Sequence, residues 1–144
     1  MSAPPLPPRR RARRGSQAIE FALVTPVFLA LITGVMDYSY YFSRDASFRH
    51  VVHRAARVAA STSLEDDPEA AFATALADGL TSGGFSSGSV DASATVVGTA
   101  GERFLEVAAT LPWGGLTGLI PQPSALETRI RPRLEDQEFF DTGG

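Results

Sequence analysis

Between Phe21 and Met36 the chain runs 16 residues without an ionisable side chain, and this stretch constrains everything around it. With the five residues ahead of it the segment reads SQAIEFALVTPVFLALITGVM, residues 16–36. As a helix rising about 1.5 Å per residue it would be roughly 31 Å long, against a hydrocarbon core of about 30 Å. Cations lie on one side only. Arg9, Arg10, Arg11, Arg13 and Arg14 precede the segment, and the next cation is Arg44. That asymmetry predicts a single pass with the N-terminus in the cytoplasm and the rest of the chain outside the cell membrane. The first 15 residues are rich in Pro and Arg, resist helix, and read as a flexible basic leader.

The helical pattern continues past Met36. Tyr38, Tyr41, Phe48, Val52, Ala55 and Ala59 recur in steps of three and four, with Asp45 breaking the stripe. Ser43, Ser47, His50, Arg54, Arg57 and Ser61 form a polar stripe opposite. This is amphipathic spacing, and no Pro or Gly interrupts residues 35–60. One helix over 16–60 is therefore expected, its first half in lipid or among other helices and its second half carrying a small domain. Residues 61–68 read as a break. Glu69–Leu80 reads as a short helix closing near Gly79, and the Gly- and Ser-rich stretch 81–88 as a loop. Three runs then alternate with period two, about Val90–Val96, Leu105–Leu111 and Leu126–Ile130. Gly98–Gly101 reads as a hairpin between the first two, and Pro112–Pro123 as a longer loop between the last two. The expected fold class is α+β: a long N-terminal helix, a short helix and an antiparallel sheet of about three strands. The expected divisions are 1–15 leader, 16–60 helix, 61–134 exported domain and 135–144 acidic tail.

Charge narrows the partners. All 13 basic residues are Arg, and the 16 acids all follow the leader. Removal of residues 1–15 would leave eight Arg against the 16 acids, moving the net charge from −3 to −8. A chain of that charge lacks the basic footprint of a nucleic-acid binder. There is no cysteine, so disulfides, thiolate metal sites and cysteine nucleophiles are excluded.

The informative string is RRGSQAIEFALVTPV. A charge at the start of a membrane span is costly unless a partner neutralises it, so Glu20 requires an explanation. Cleavage between Gly15 and Ser16 would give Ser16 a free amine, with Glu20 one helical turn along. Pairing Glu20 of one helix with the Ser16 amine of the next removes two buried charges together. It also fixes the axial stagger of helices whose apolar flanks could slide.

These residues resemble the class III signal of type IV pilins and pseudopilins. The fuller run over residues 14–60 resembles the TadE-like minor pilins of tight-adherence (Tad/Flp) systems. The family pattern falls on Ala18, Ile19, Glu20, Phe21, Ala22, Pro26, Gly34, Tyr38 and Ala55–Ala60, while residues downstream resemble it loosely. Ser16, in place of the Phe common there in other type IV pilins, favours the Tad group. The resemblance implies a membrane aspartic prepilin peptidase cutting after Gly15, and methylation of the Ser16 amine as a further modification. It implies membrane lipid, other pilins or pseudopilins and an inner-membrane assembly platform as partners. The implied role is a structural or assembly subunit in adhesion or secretion, with Glu20, Phe21 and Pro26 in assembly and register.

Other features read as structural. His50 and His53 share a helix but lack a third ligand, and Glu65, Asp66, Asp67 and Glu69 lack EF-hand spacing. Asp45 and Arg49 form an i,i+4 pair. Trp113 is expected in the core. Candidate Ser, His and Asp groups exist without a motif, so no enzyme, cofactor, metal or small-molecule substrate is expected. Two other readings remain: a single-pass anchored binding or sensor protein that is not processed, and a secreted protein with a conventional signal peptide.

Overall fold

The computed structural model describes residues 12–99, 102–118 and 121–135, with the side chains of residues 12–14, 16, 65 and 87 outside that description. Helix α1 runs from Ala12 to Ala60 without interruption. At 49 residues it is about 73 Å long. It begins four residues before the expected start, so the last turn of the leader is helical and the Gly15–Ser16 bond lies within α1. It continues through Pro26, and the hydroxyls of Thr25 and Thr33 donate to the carbonyls of Phe21 and Leu29 at 2.7 and 2.9 Å. Those internal bonds leave no hydroxyl unpaired along the apolar stretch.

The C-terminal half of α1 is the spine of the domain. Phe48, Val52, Ala55 and Ala59 are buried, as the apolar stripe requires, and Val51, Ala56 and Ala60 widen it. The expected polar stripe from Ser43 to Ser61 is exposed throughout. Four alanines at the buried positions let other elements approach closely. Helix α2 (Pro68–Ser82) contributes Phe72, Leu76 and Leu80 to the same core. Strands β1 (Asp91–Thr99), β2 (Glu102–Pro112) and β3 (Ala125–Ile130) form an antiparallel sheet in the order β1-β2-β3. The registers Ala94↔Val107, Val96↔Leu105 and Leu111↔Leu126 put the predicted inward residues on one face. The hairpin turn uses Gly98 at φ 111°, where a Cβ would sit 2.1 Å from the Glu102 carbonyl oxygen.

Other boundaries differ from expectation too. Helix α2 runs on to Ser82 and is capped at Gly83, so Gly79 does not end it. Gly79 serves a close crossing with α1 instead, where a Cβ would lie 2.7 Å from Val51 Cγ1. At its other end Asp67 caps the helix, its carboxylate accepting from the amides of Glu69 and Ala70, with Pro68 in the first turn where its missing N–H costs nothing. The segment after β3 is also tied down. Leu134 is buried and its amide donates to Arg103 O at 2.9 Å, and the Glu135 amide donates to Ala60 O at 3.1 Å, capping α1. Residues 136–144 of the expected acidic tail lie outside the described residues.

Gly79→Ala, which would add up to about 1 kcal/mol to an isolated helix, is expected to destabilise this domain by about 1–3 kcal/mol through overpacking. Denaturant unfolding of the full chain in detergent, followed by near-UV circular dichroism, reads it. Combining it with Val51→Ala is expected to recover part of the loss relative to the sum of the single changes; strict additivity would remove the close-crossing explanation.

Candidate functional site: the apolar helix and its junction with the domain

From Phe21 to Met36 helix α1 is apolar on every side and touches almost nothing. It is the one described helix long and apolar enough to cross a membrane, and only 6% of its most apolar window is buried. The large apolar side chains there range from 41% exposed at Ile32 to 74% at Phe21 and Leu23. A helix apolar all round belongs in lipid or among other helices.

The predicted residues fall along this rod. Gly15 is exposed, and the Ser16 backbone follows it in the helix. Glu20 is exposed one turn further on, with no hydrogen bond or ion pair to a described side chain. Phe21 and Pro26 are exposed too. Among the described residues only the helix itself links these groups, spacing Ser16 and Glu20 by about 6 Å of rise. Arg9, Arg10 and Arg11 lie outside the described residues. Arg13 and Arg14 fall in the first turn of α1, with their side chains outside the description.

The sequence reading passed over Asp37, which ends the uncharged run. Its side chain is fully buried, at 0% exposure. The loop between β2 and β3 folds back over it. The Thr117 amide donates to Asp37 Oδ1 at 3.2 Å, and the Thr117 hydroxyl donates a short bond to Oδ2. The loop is tied at two more points. The Tyr38 hydroxyl donates to Pro121 O at 3.0 Å. The Trp113 ring packs on Tyr40 and Tyr41, with centroids 5.4 and 5.9 Å away, and its Nε1 donates to Gln122 Oε1 at 2.8 Å. Trp113 is thus half-buried and packs against the hydrophobic core from the junction side, in keeping with the core placement expected of it. A carboxylate placed directly after a membrane-length apolar run was the available signal, since such a group needs partners.

A second clamp joins α1 to α2. Arg44 donates to the carbonyls of Gly83 and Gly84 at 3.4 and 3.2 Å, and its guanidinium lies 4.6 Å from the Phe85 ring centroid. A cation at a helix C-terminus is favoured by the helix dipole. Glu69 accepts from the Val96 amide at 3.0 Å, joining α2 to β1. Asp45 and Arg49 form the expected pair at 2.8 Å. His50 and His53 are exposed, and no group of three metal-ligating side chains occurs among the described residues. Between α2 and β1 lies an open groove of about 400 Å³, lined mainly by Phe72, Leu76, Leu80, Val90 and Ala92.

A family model described as "TadE-like protein" matches residues 15–60, from the Gly of the expected cleavage site to the last residue of α1. The rest of the chain lies outside that match. Comparison with curated proteins and comparison with solved structures each gave no match.

Removing the Asp37 carboxylate removes the charged acceptor of both Thr117 bonds, a loss of about 1.5–3 kcal/mol for a hydrogen bond to a charged group. Asp37→Ala is expected to speed limited proteolysis between Trp113 and Ser124 while cleavage elsewhere in the domain stays slow. An unchanged cleavage rate in that loop would show that the carboxylate does not hold it.

Proposed function

Proceeding from the TadE-like segment over residues 15–60, we propose that this protein is a pilin-like subunit of a Tad-type pilus or related secretion or adhesion machine, and that its role is structural. The observation that carries this reading is the all-round exposure of the apolar half of α1, with Glu20 as its one charge, five residues beyond Gly15. Before assembly, lipid covers that surface. The N-terminus lies in the cytoplasm, held there by the five leader Arg, and the domain lies outside.

A membrane peptidase cuts between Gly15 and Ser16. The bond is helical in the uncut chain, and a peptidase needs it extended. Gly15 weakens the helix by about 0.5–1 kcal/mol relative to alanine, so opening that turn costs little. Cutting removes the Arg cluster that held the N-terminus at the cytoplasmic face. It also creates an amine one turn from Glu20. An unpaired carboxylate inside the bilayer costs on the order of 3 kcal/mol at its centre. Glu20 therefore favours a neighbour that presents a cation at matching height. The Ser16 amine of an adjacent subunit supplies it and sets the stagger between helices. Phe21 and the span beyond Pro26 then pack against neighbouring helices in place of lipid.

N-terminal sequencing of the protein from membranes of its native cells tests processing. The expected mature terminus is Ser16. A terminus after the apolar run, near Gly34, would identify a secretory signal, and an intact leader would identify an unprocessed anchor. Glu20→Ala is expected to be processed normally yet fail to enter filaments; normal assembly of that variant would eliminate the register role.

A further inference from the structure

The loop that covers Asp37 sits where the membrane span ends. We propose that Trp113–Gly118 is a membrane foot, resting on the outer lipid–water boundary with Leu116 inserted among the headgroups and upper acyl chains. This rests on the reading of α1 as a membrane span.

Height comes first. From Arg14 to Asp37 the helix rises about 35 Å, and from Glu20 to Asp37 about 26 Å. With the leader Arg at the cytoplasmic face, Asp37 falls at the outer edge of a hydrocarbon core of about 30 Å. The hydrogen bonds from Thr117 to Asp37 place the loop at that same level. They also let a carboxylate occupy the boundary without facing lipid.

The chemistry of the surface agrees with that depth. No charge occurs between Glu106 and Glu127 in the sequence, so the loop carries none. Leu116, beside the anchoring Thr117, is 59% exposed. On α1 the next residues outward are Tyr38, Tyr40 and Phe42, all exposed, with Tyr40 tilted against Trp113 and Tyr41 edge-on to it. Tyr and Trp concentrate at membrane interfaces because one end of each ring is apolar and the other polar. The aromatic band from Tyr38 to Phe42 rises about 6 Å, comparable to an interfacial layer of roughly 5–8 Å on each side. The first charged residues beyond it, Arg44 and Asp45, stand about 10 Å above Asp37 and outside that layer. Charge-free loop, aromatic band and span form one continuous apolar surface, and lipid is the occupant that continuity selects.

Trp113 is the only tryptophan, so it reports its own depth. The full chain is placed in phosphatidylcholine vesicles at low protein density, with bromine on the acyl chains either near the headgroup or near the chain end. Shallow bromine is expected to remove most of the Trp113 emission and deep bromine little. Trp113→Phe combined with Leu116→Trp, which moves the fluorophore to the tip, is expected to be quenched more strongly. Asp37→Ala, by releasing the loop, is expected to weaken quenching in otherwise native protein. Carbonate extraction of the same vesicles separates the two readings. Protein retained after extraction but unquenched at both positions overturns the foot and leaves the span intact. Protein released by carbonate overturns the span, and the foot with it. Protection from aqueous quencher that appears only at high protein density assigns the surface to a second subunit and also overturns the foot.

Discussion

The structure depends on one constraint: α1 must stay a single helix, losing only the amide donor of Pro26, while its surface changes from apolar all round to apolar on one stripe. Inside hydrocarbon no water can serve an open amide or carbonyl, so a single chain crosses as a helix. Beyond Met36 the same helix must offer a face to a domain. The chain meets both demands by changing side chains without interrupting the helix. From Phe21 to Met36 the surface is apolar all round; from Phe48 it is apolar on one stripe and polar on the other. Because Ala55, Ala56, Ala59 and Ala60 are small, α2 and the sheet approach the spine closely, and Gly79 lets α2 cross at Val51.

The domain has few other anchors. Without cysteines it relies on the packed core and on polar clamps that join its elements. Arg44 holds the end of α2, Glu69 joins α2 to β1, and the Glu135 amide closes the end of α1. The Asp37–Thr117 bonds differ from these because they act where the all-round apolar surface of α1 ends. They fix how close the domain stands to the end of the apolar run.

Much of this was legible because periodicity is a local property. The apolar stripe on α1, its end at Ala60, the three strands with their inward faces and the Asp45–Arg49 pair all follow from spacing. What failed depended on distant partners. Gly79 reads as a helix stop in isolation, and only the proximity of Val51 shows its packing role. Asp37 reads as the first polar residue after a span, yet Thr117, eighty positions later, makes it a buried anchor. Trp113 packs on the core as expected, but the bond from its indole N–H to Gln122 at the junction depends on a partner that spacing does not reveal. The early start at Ala12 reflects helix propagating into a short Ala-Arg-Arg segment once the span has nucleated it. Gly15, Ser16 and Glu20 were legible in position, but no contact within one chain reveals their use, because the proposed partner is another subunit.

The absence of native cysteine makes the central claim directly measurable, since each introduced thiol is unique. Single substitutions at Val27, Leu31, Ser47 and Ser61 in the full-length protein, in intact cells, are treated with a membrane-impermeant maleimide from outside. The account predicts that Val27→Cys and Leu31→Cys stay unlabelled, and that Ser47→Cys and Ser61→Cys are labelled. Labelling at Val27 or Leu31, or labelling of Ser47 and Ser61 only after the cytoplasm is opened, would contradict it.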